Sequence, residues 1–286
     1  MISLPADGLF TQSLKLMRRL EHLTIRDVRQ PSGAISYLPT LTFPNLLSCF
    51  IIERRADAWK LHITQFLSRH PTITHIRLSE SYSAVPVREG GLLPKLQYYD
   101  GPIHLPSFSS HGLIAARTYW VSLLPITTRV EKLCPLTGPN LTSFCIHSPI
   151  SAGRVIEVLV HLSIHIPHLE KLEMHCSDES RGTVLHFRSF LLYPVLITTQ
   201  ETVNAYLSRC ERLEYLAFCC GQKCERSTVD DRRMLQLWTN TSSTLRGCCI
   251  GNTAWRKVEE MWEECSLGQF DMEAGFSVFE EFKVVR

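Results

Sequence analysis

Residues able to do chemistry cluster at a few points of the chain. Cys219-Cys220-Gly221-Gln222-Lys223-Cys224 is the sharpest metal candidate. Zinc takes four ligands, usually as two close pairs, and no second Cys-x-x-Cys or His pair lies at a fitting distance. Free thiols are therefore expected there. His161 and His165 stand four apart and would share a helix face, with His168 beyond Pro167. The Glu of the metalloprotease pattern is missing, so these are read as solvated or half-buried histidines. Glu259-Glu260 and Glu263-Glu264 form a carboxylate cluster, expected on a helix whose inner face is Trp255, Val258 and Trp262. Gly-x-Ser-x-Gly, the P-loop and Gly-x-Gly-x-x-Gly are absent, and Gly90-Gly91 reads as a turn. No catalytic residue, metal ligand or cofactor is assigned, and the expectation is a binding protein, not an enzyme.

Composition narrows the classes. Hydrophobic residues make up 44% and charged residues 20% of 286, which excludes a disordered chain. No apolar run approaches the roughly 18 residues of a membrane-spanning helix. Thirty Lys and Arg against 28 Asp and Glu, without a long basic run, give no support for a nucleic-acid surface. Several of the 11 cysteines lie in apolar runs such as Ser143-Phe144-Cys145-Ile146 and Gly247-Cys248-Cys249-Ile250. Met1–Asp7 has neither the charge nor the apolar stretch of a secretory signal. Reduced thiols in the cytoplasm or nucleus are the expectation.

The organising feature is a repeat. Its phrase is apolar, two variable residues, apolar, one variable, apolar. It occurs at Leu20-Glu-His-Leu23-Thr-Ile25, Leu46-Leu-Ser-Cys49-Phe-Ile51, Ile73-Thr-His-Ile76-Arg-Leu78 and Leu96-Gln-Tyr-Tyr99-Asp-Gly101. It continues at Leu141-Thr-Ser-Phe144-Cys-Ile146, Leu169-Glu-Lys-Leu172-Glu-Met174, Leu213-Glu-Tyr-Leu216-Ala-Phe218 and Leu245-Arg-Gly-Cys248-Cys-Ile250. Pro44, Pro71, Pro94, Pro139 and Pro167 each stand two residues before an anchor. The anchors step by 26, 27, 23, 45, 28, 44 and 32 residues, several within the leucine-rich-repeat period of roughly 20–29. A degenerate unit at Leu113-Ile-Ala-Ala116-Arg-Thr118 fits one long gap, and an insertion near 178–194 the other.

Each phrase predicts a short strand, because its apolar positions alternate. Strands are expected near 23–26, 49–52, 76–79, 97–101, 143–147, 171–175, 215–219 and 247–250. Between them the period becomes helical, at Ala58-Trp59-His62-Ile63-Phe66-Leu67, Val155-Ile156-Val158-Leu159-Leu162, Val203-Tyr206-Leu207 and Met234-Leu235-Leu237-Trp238. Ser151, Thr198 or Thr199, and Ser227 read as helix starts. A strand and a helix per unit stack into an α/β solenoid, parallel strands on the concave side and helices on the convex side. One solenoid is expected over 1–286: an N-terminal cap at 1–19, irregular repeats at 20–250, and a closing helix and tail at 251–286.

Phe43-Pro44-Asn45-Leu46, Ile166-Pro167-His168-Leu169-Glu170-Lys171-Leu172 and Leu136-Thr137-Gly138-Pro139-Asn140-Leu141-Thr142-Ser143-Phe144 resemble the leucine-rich-repeat tails of F-box proteins. The chain is most similar there to the divergent F-box-like proteins of mushroom-forming fungi, over about residues 14–265. The Asn that forms a ladder in regular repeats is replaced by Val28, Arg54, Ser81 or Ser177. The resemblance implies a substrate-recognition part of a ubiquitin-ligase receptor. The F-box itself, the adaptor-binding module, is not visible before Leu20, so adaptor binding is carried to no residue here. A repeat scaffold or inhibitor without a ubiquitin role is the alternative.

Binding would use the outward strand positions, the third, fifth and seventh of each phrase. Fifth positions put Arg77, Asp100, Arg117 and Glu173 in one row, and seventh positions put Arg26, Ser79, Tyr119, His147 and His175 in the next. Arg and Tyr are enriched in interface cores and Lys depleted. The expected contacts to a protein or peptide are Arg26, Arg77, Arg117, Tyr119, His147, Glu173, His175 and Tyr215.

Overall fold

The computed structural model describes residues 16–26, 35–52, 60–78, 93–102, 110–119, 138–150, 152–176, 200–220, 228–251 and 253–276. The chain divides into two compact units, one built on 16–119 with 138–140, the other on 141–276. The expected insertion at 178–194, Gly90-Gly91, the Asn-ladder positions, the helix starts at 151, 198–199 and 227, and the tail beyond 276 lie outside the described residues.

The repeat phrase becomes a turn followed by a strand. Amides of Leu46, Ile73, Leu96, Leu169 and Leu213 donate to the carbonyls of Phe43, His70, Leu93, Ile166 and Cys210, three residues back, at 3.0–3.3 Å. Pro44, Pro71, Pro94 and Pro167 are the second residue of four of these turns. Proline's fixed φ suits that place, and the ring needs no donor there. The next amide then bonds to the neighbouring strand, Leu47 to Glu21, Thr74 to Leu47, Gln97 to Thr74, Glu170 to Thr142, Glu214 to Glu170 and Arg246 to Glu214, all at 2.8–2.9 Å. The anchors Leu46, Ile73, Leu96, Leu113, Leu141, Leu169, Leu213 and Leu245 are all buried.

The first unit has a parallel sheet of β1 (His22–Arg26), β2 (Ser48–Ile52), β3 (His75–Leu78), β4 (Tyr98–Pro102) and β5 (Ala115–Tyr119), ordered as in the chain. The degenerate phrase at Leu113 is thus a full member. Leu23, Cys49, Ile76, Tyr99 and Ala116 form one cross-strand row, half-buried at the Leu23 edge and buried from Cys49 onward. Tyr99 donates its hydroxyl to the Pro102 carbonyl, and a Cβ on Gly101 would lie 2.6 Å from that hydroxyl. Glycine at 101 makes the room. Helix α1 (Lys60–Ser68) buries Ile63, Phe66 and Leu67. His70, fully buried, locks this packing. The Phe43 amide donates to its Nε2 at 2.9 Å, so its proton is on Nδ1, which donates to the Phe66 carbonyl at 2.7 Å. Burial and the Arg69 charge outweigh that carbonyl and hold His70 below its ordinary pKa.

In the second unit β6 (Ser143–Ile150), β7 (Lys171–Cys176), β8 (Tyr215–Cys220) and β9 (Gly247–Gly251) are parallel. Phe144, Leu172, Leu216 and Cys248 form its buried row, with Ile146, Met174, Phe218 and Ile250 beside them. Helices α2 (Ala152–His165), α3 (Gln200–Arg209) and α4 (Thr228–Thr241) connect the strands. They bury Val155, Val158, Leu159, Leu162, Val203, Tyr206, Leu207, Met234, Leu235 and Trp238, as the three- and four-residue steps require. Trp238 meets Phe218 with ring centroids 6.1 Å apart.

The C-terminal part corrects the expected helix at 251–286. Residues 253–265 form a hairpin, β10 (Thr253–Val258) and β11 (Met261–Cys265), antiparallel to β9. The helix is α5 (Leu267–Ala274), N-capped by Ser266 and ended by Gly275 at φ 66°. Trp255, Val258 and Trp262 have helical spacing. The free edge of β9 nevertheless offers a ladder that a helix could not use, and an open edge is a liability. Trp255 is fully buried, and Trp262 donates to Thr239 Oγ1 of α4 at 2.7 Å. The four glutamates thus lie on a hairpin, with Glu259 and Glu260 as its two-residue turn at φ 47° and 70°.

Two outcomes follow. Both turn residues are left-handed, which costs a non-glycine residue roughly 1 kcal/mol or more. Glu259→Asn with Glu260→Gly should raise stability in urea denaturation by about 1 kcal/mol. For His70, a lowered folded pKa means stability that is full above the unfolded value and lost as pH falls toward the folded one. Denaturation of the wild type should therefore show stability falling as pH drops below about 6.5, and His70→Gln should reduce that slope.

Candidate functional site

In each unit the strand face opposite the buried row carries the outward residues of the repeats. In the first unit they pair across strands. His22 Nδ1 lies 2.6 Å from Ser48 Oγ, and His75 stacks on Tyr98 at 4.3 Å with ring planes 14° apart. Burial, then the His22 charge, holds His75 below its ordinary pKa. Arg77 Nε lies 3.1 Å from Asp100 Oδ2. The register sets Arg77 beside Asp100 and Asp100 beside Arg117, with the Tyr119 hydroxyl near the Asp100 carboxylate. Burial pushes the Asp100 carboxyl up, against the lowering effect of Arg77, Arg117 and Tyr119. The Arg77 side chain, 30% exposed, keeps reach toward solvent.

In the second unit the same alternation gathers different chemistry. Cys145 sits beside Glu173, and His175 beside Cys219, on β6, β7 and β8. One ligand atom each of Cys145, Glu173 and His175 lies within 4.8 Å of the others. His175 Nε2 is 2.7 Å from Glu173 Oε1, and Cys219 Sγ is 3.8 Å from the same oxygen. The His147 ring meets His175 edge-on at 4.3 Å. Cys145 is fully buried, whereas the His175 side chain is 34% exposed. A hydrogen bond with Cys249, then burial, then the nearby Cys249, Glu173 and Cys145 all push the Cys219 thiol upward.

Beside this cluster α5 covers the face. Phe270, Ala274 and Phe276 pack on Ala217, Cys249 and Ala254. Helices therefore flank the second sheet on both sides, a correction to helices on the convex side alone. The small residues Ala217, Gly247, Cys249 and Gly251 leave a shallow floor, and a Cβ on Gly247 would lie 2.7 Å from the Tyr215 ring and 3.0 Å from that of Phe270.

The sequence-derived contacts sort accordingly. Arg77, Arg117, Glu173 and His175 are half-buried in cross-strand clusters, and His147 is exposed. Tyr119 is buried beside Asp100. Tyr215 is half-buried as well, a neighbour of Phe270 at 6.1 Å, with Lys171 Nζ 6.0 Å from its ring centroid. The side chain of Arg26 lies outside the described residues, as do those of Cys220 and Cys224. Cys219 joins Glu173 across the sheet. The spacing of Cys145, Glu173, His175 and Cys219 along the chain hides their proximity, and only equivalent repeat positions signal it. His161 and His165 stack at 6.2 Å on α2, half-buried and exposed. No protein-family model matches the chain, and no curated protein matches its sequence. Among the described residues, no helix is long and apolar enough to cross a membrane.

Phe270→Ala should test the cover. Losing a buried ring costs about 3 kcal/mol. Cys249, at 1% exposure, should then be alkylated by iodoacetamide much faster than in the wild type, as read by peptide mass spectrometry. Unchanged protection would mean that α5 does not shield it.

Proposed function

We propose that the protein is a recognition module that captures a protein or peptide on the strand faces opposite the buried rows. The carrying observation is the pre-ordered Arg77–Asp100–Arg117 row, with the stacked His75 and Tyr98 beside it. Side chains held by cross-strand contacts lose little freedom on binding, which favours affinity. Arg77 can pair a partner carboxylate while Tyr98 offers a flat apolar face. In the second unit His147, Glu173 and His175 are the corresponding groups.

The resemblance to F-box-like repeat tails supports a specific form of this reading, substrate capture for a ubiquitin ligase. A scaffold or inhibitor built from the same repeats would use the same face without ubiquitin transfer. Retrieval of a partner with the full chain, followed by binding measurements on variants, tests both. Arg77→Ala and Arg117→Ala should each weaken binding about 30-fold, ~2 kcal/mol, as anchors of an interface do. Arg233→Ala on the exposed surface of α4 should leave it unchanged. Loss with Arg233→Ala, and none with the strand-face pair, would refute the docking face. Ubiquitination of the partner that depends on this chain would select the ligase form, and its absence the scaffold.

A further inference from the structure

We propose that Cys145, Glu173, His175 and Cys219 form a binding site for one zinc ion. The reading shares Glu173 and His175 with the proposed docking face but rests on its own observations. Its first support is geometric. Three neighbouring strands present two thiols, a carboxylate and an imidazole from one sheet face, in two cross-strand pairs. Cys145, Glu173 and His175 already offer ligand atoms within 4.8 Å of one another, and Cys219 Sγ is 3.8 Å from the Glu173 carboxylate. Tetrahedral zinc with bonds of roughly 2.0–2.3 Å spaces its ligand atoms about 3.3–3.8 Å apart. Cys219 Sγ stands outside that three-ligand group, so zinc binding requires its side chain to rotate inward and the His175–Glu173 contact of 2.7 Å to open.

The donor set selects the metal. Two sulfurs, one nitrogen and one oxygen in tetrahedral array suit zinc, whereas calcium and magnesium want oxygen alone. Zinc binding would displace the protons of both thiols. Access also fits, because Cys145 forms a buried floor while His175 stands at the solvent side. The ring of His147 packs edge-on against that of His175 at 4.3 Å.

The full chain, reduced and stripped of metal, is titrated with Co²⁺ and then with Zn²⁺. Expected are one equivalent of cobalt with the visible bands of tetrahedral cobalt–thiolate, their loss on adding zinc, and weaker binding at lower pH as the thiols hold their protons. Cys145→Ser and His175→Gln should each weaken zinc binding at least about 10–100-fold. Zinc should raise the unfolding temperature of the wild type and not of either variant. His175 is partly exposed, so His175→Gln keeps the test open where Cys145→Ser fails to fold. His161→Ala with His165→Ala removes the other close histidine pair and should change nothing. The proposal is overturned by an absence of cobalt–thiolate bands, by bands that persist in both cluster variants, or by zinc binding that is lost only with His161 and His165.

Discussion

The structure depends on one small device, the three-residue-back turn that delivers a leucine or isoleucine anchor to the start of the repeat strands. A parallel strand has no hairpin to set its register, and a slip of one residue would exchange its two faces. The turn removes that freedom. Its proline or other second residue fixes the chain direction, its anchor is buried, and the following amide bonds to the adjacent strand at nearly constant length. Equivalent residues are then neighbours by construction. The buried row of the first unit shows how this constrains packing. Cys49, Ile76, Tyr99 and Ala116 differ greatly in size, and the tyrosine is accommodated by Gly101 two positions on. Dense interiors require such local compensation.

The same register that builds the core builds the chemistry. Residues alternate between the buried row and the outward face, so outward groups far apart in the chain lie a strand spacing apart. In the first unit this yields an arginine–aspartate–arginine row around a buried carboxylate. In the second it yields thiols, a carboxylate and imidazoles. The scaffold is alike in both units, and what each face can bind follows from the side chains placed on it.

Closure of the second unit is a separate solution to an exposed edge. The β10–β11 hairpin caps β9, and α5 settles on the small residues of β8 and β9. Arg256 lies 3.6 Å from Glu263 and 3.7 Å from Glu273, which ties hairpin to helix. The left-handed pair Glu259 and Glu260 is the local strain that this short hairpin accepts.

The repeat phrase by itself determined the parallel strands and their faces. Period-2 alternation with a proline-marked turn is local, and eight anchors in one chain reinforce each other. Ile76, Leu172 and Leu216 are buried, while His75, Lys171 and Tyr215 are only half-buried, because inward and outward positions are separated by parity alone. The helices at 60–68, 152–165, 200–209 and 228–241 were legible for the same reason, from apolar steps of three and four. Tertiary structure alone decided the hairpin, since the steps of three and four among Trp255, Val258 and Trp262 favour a helix and the waiting edge of β9 overrode them. It alone decided that Tyr119 turns into the Asp100 cluster and that α5 covers Tyr215. The Cys145–Glu173–His175–Cys219 cluster was half legible. Each residue could be assigned to the outward face, but the distances among them depend on side-chain rotamers and sheet packing, which no spacing along the chain encodes.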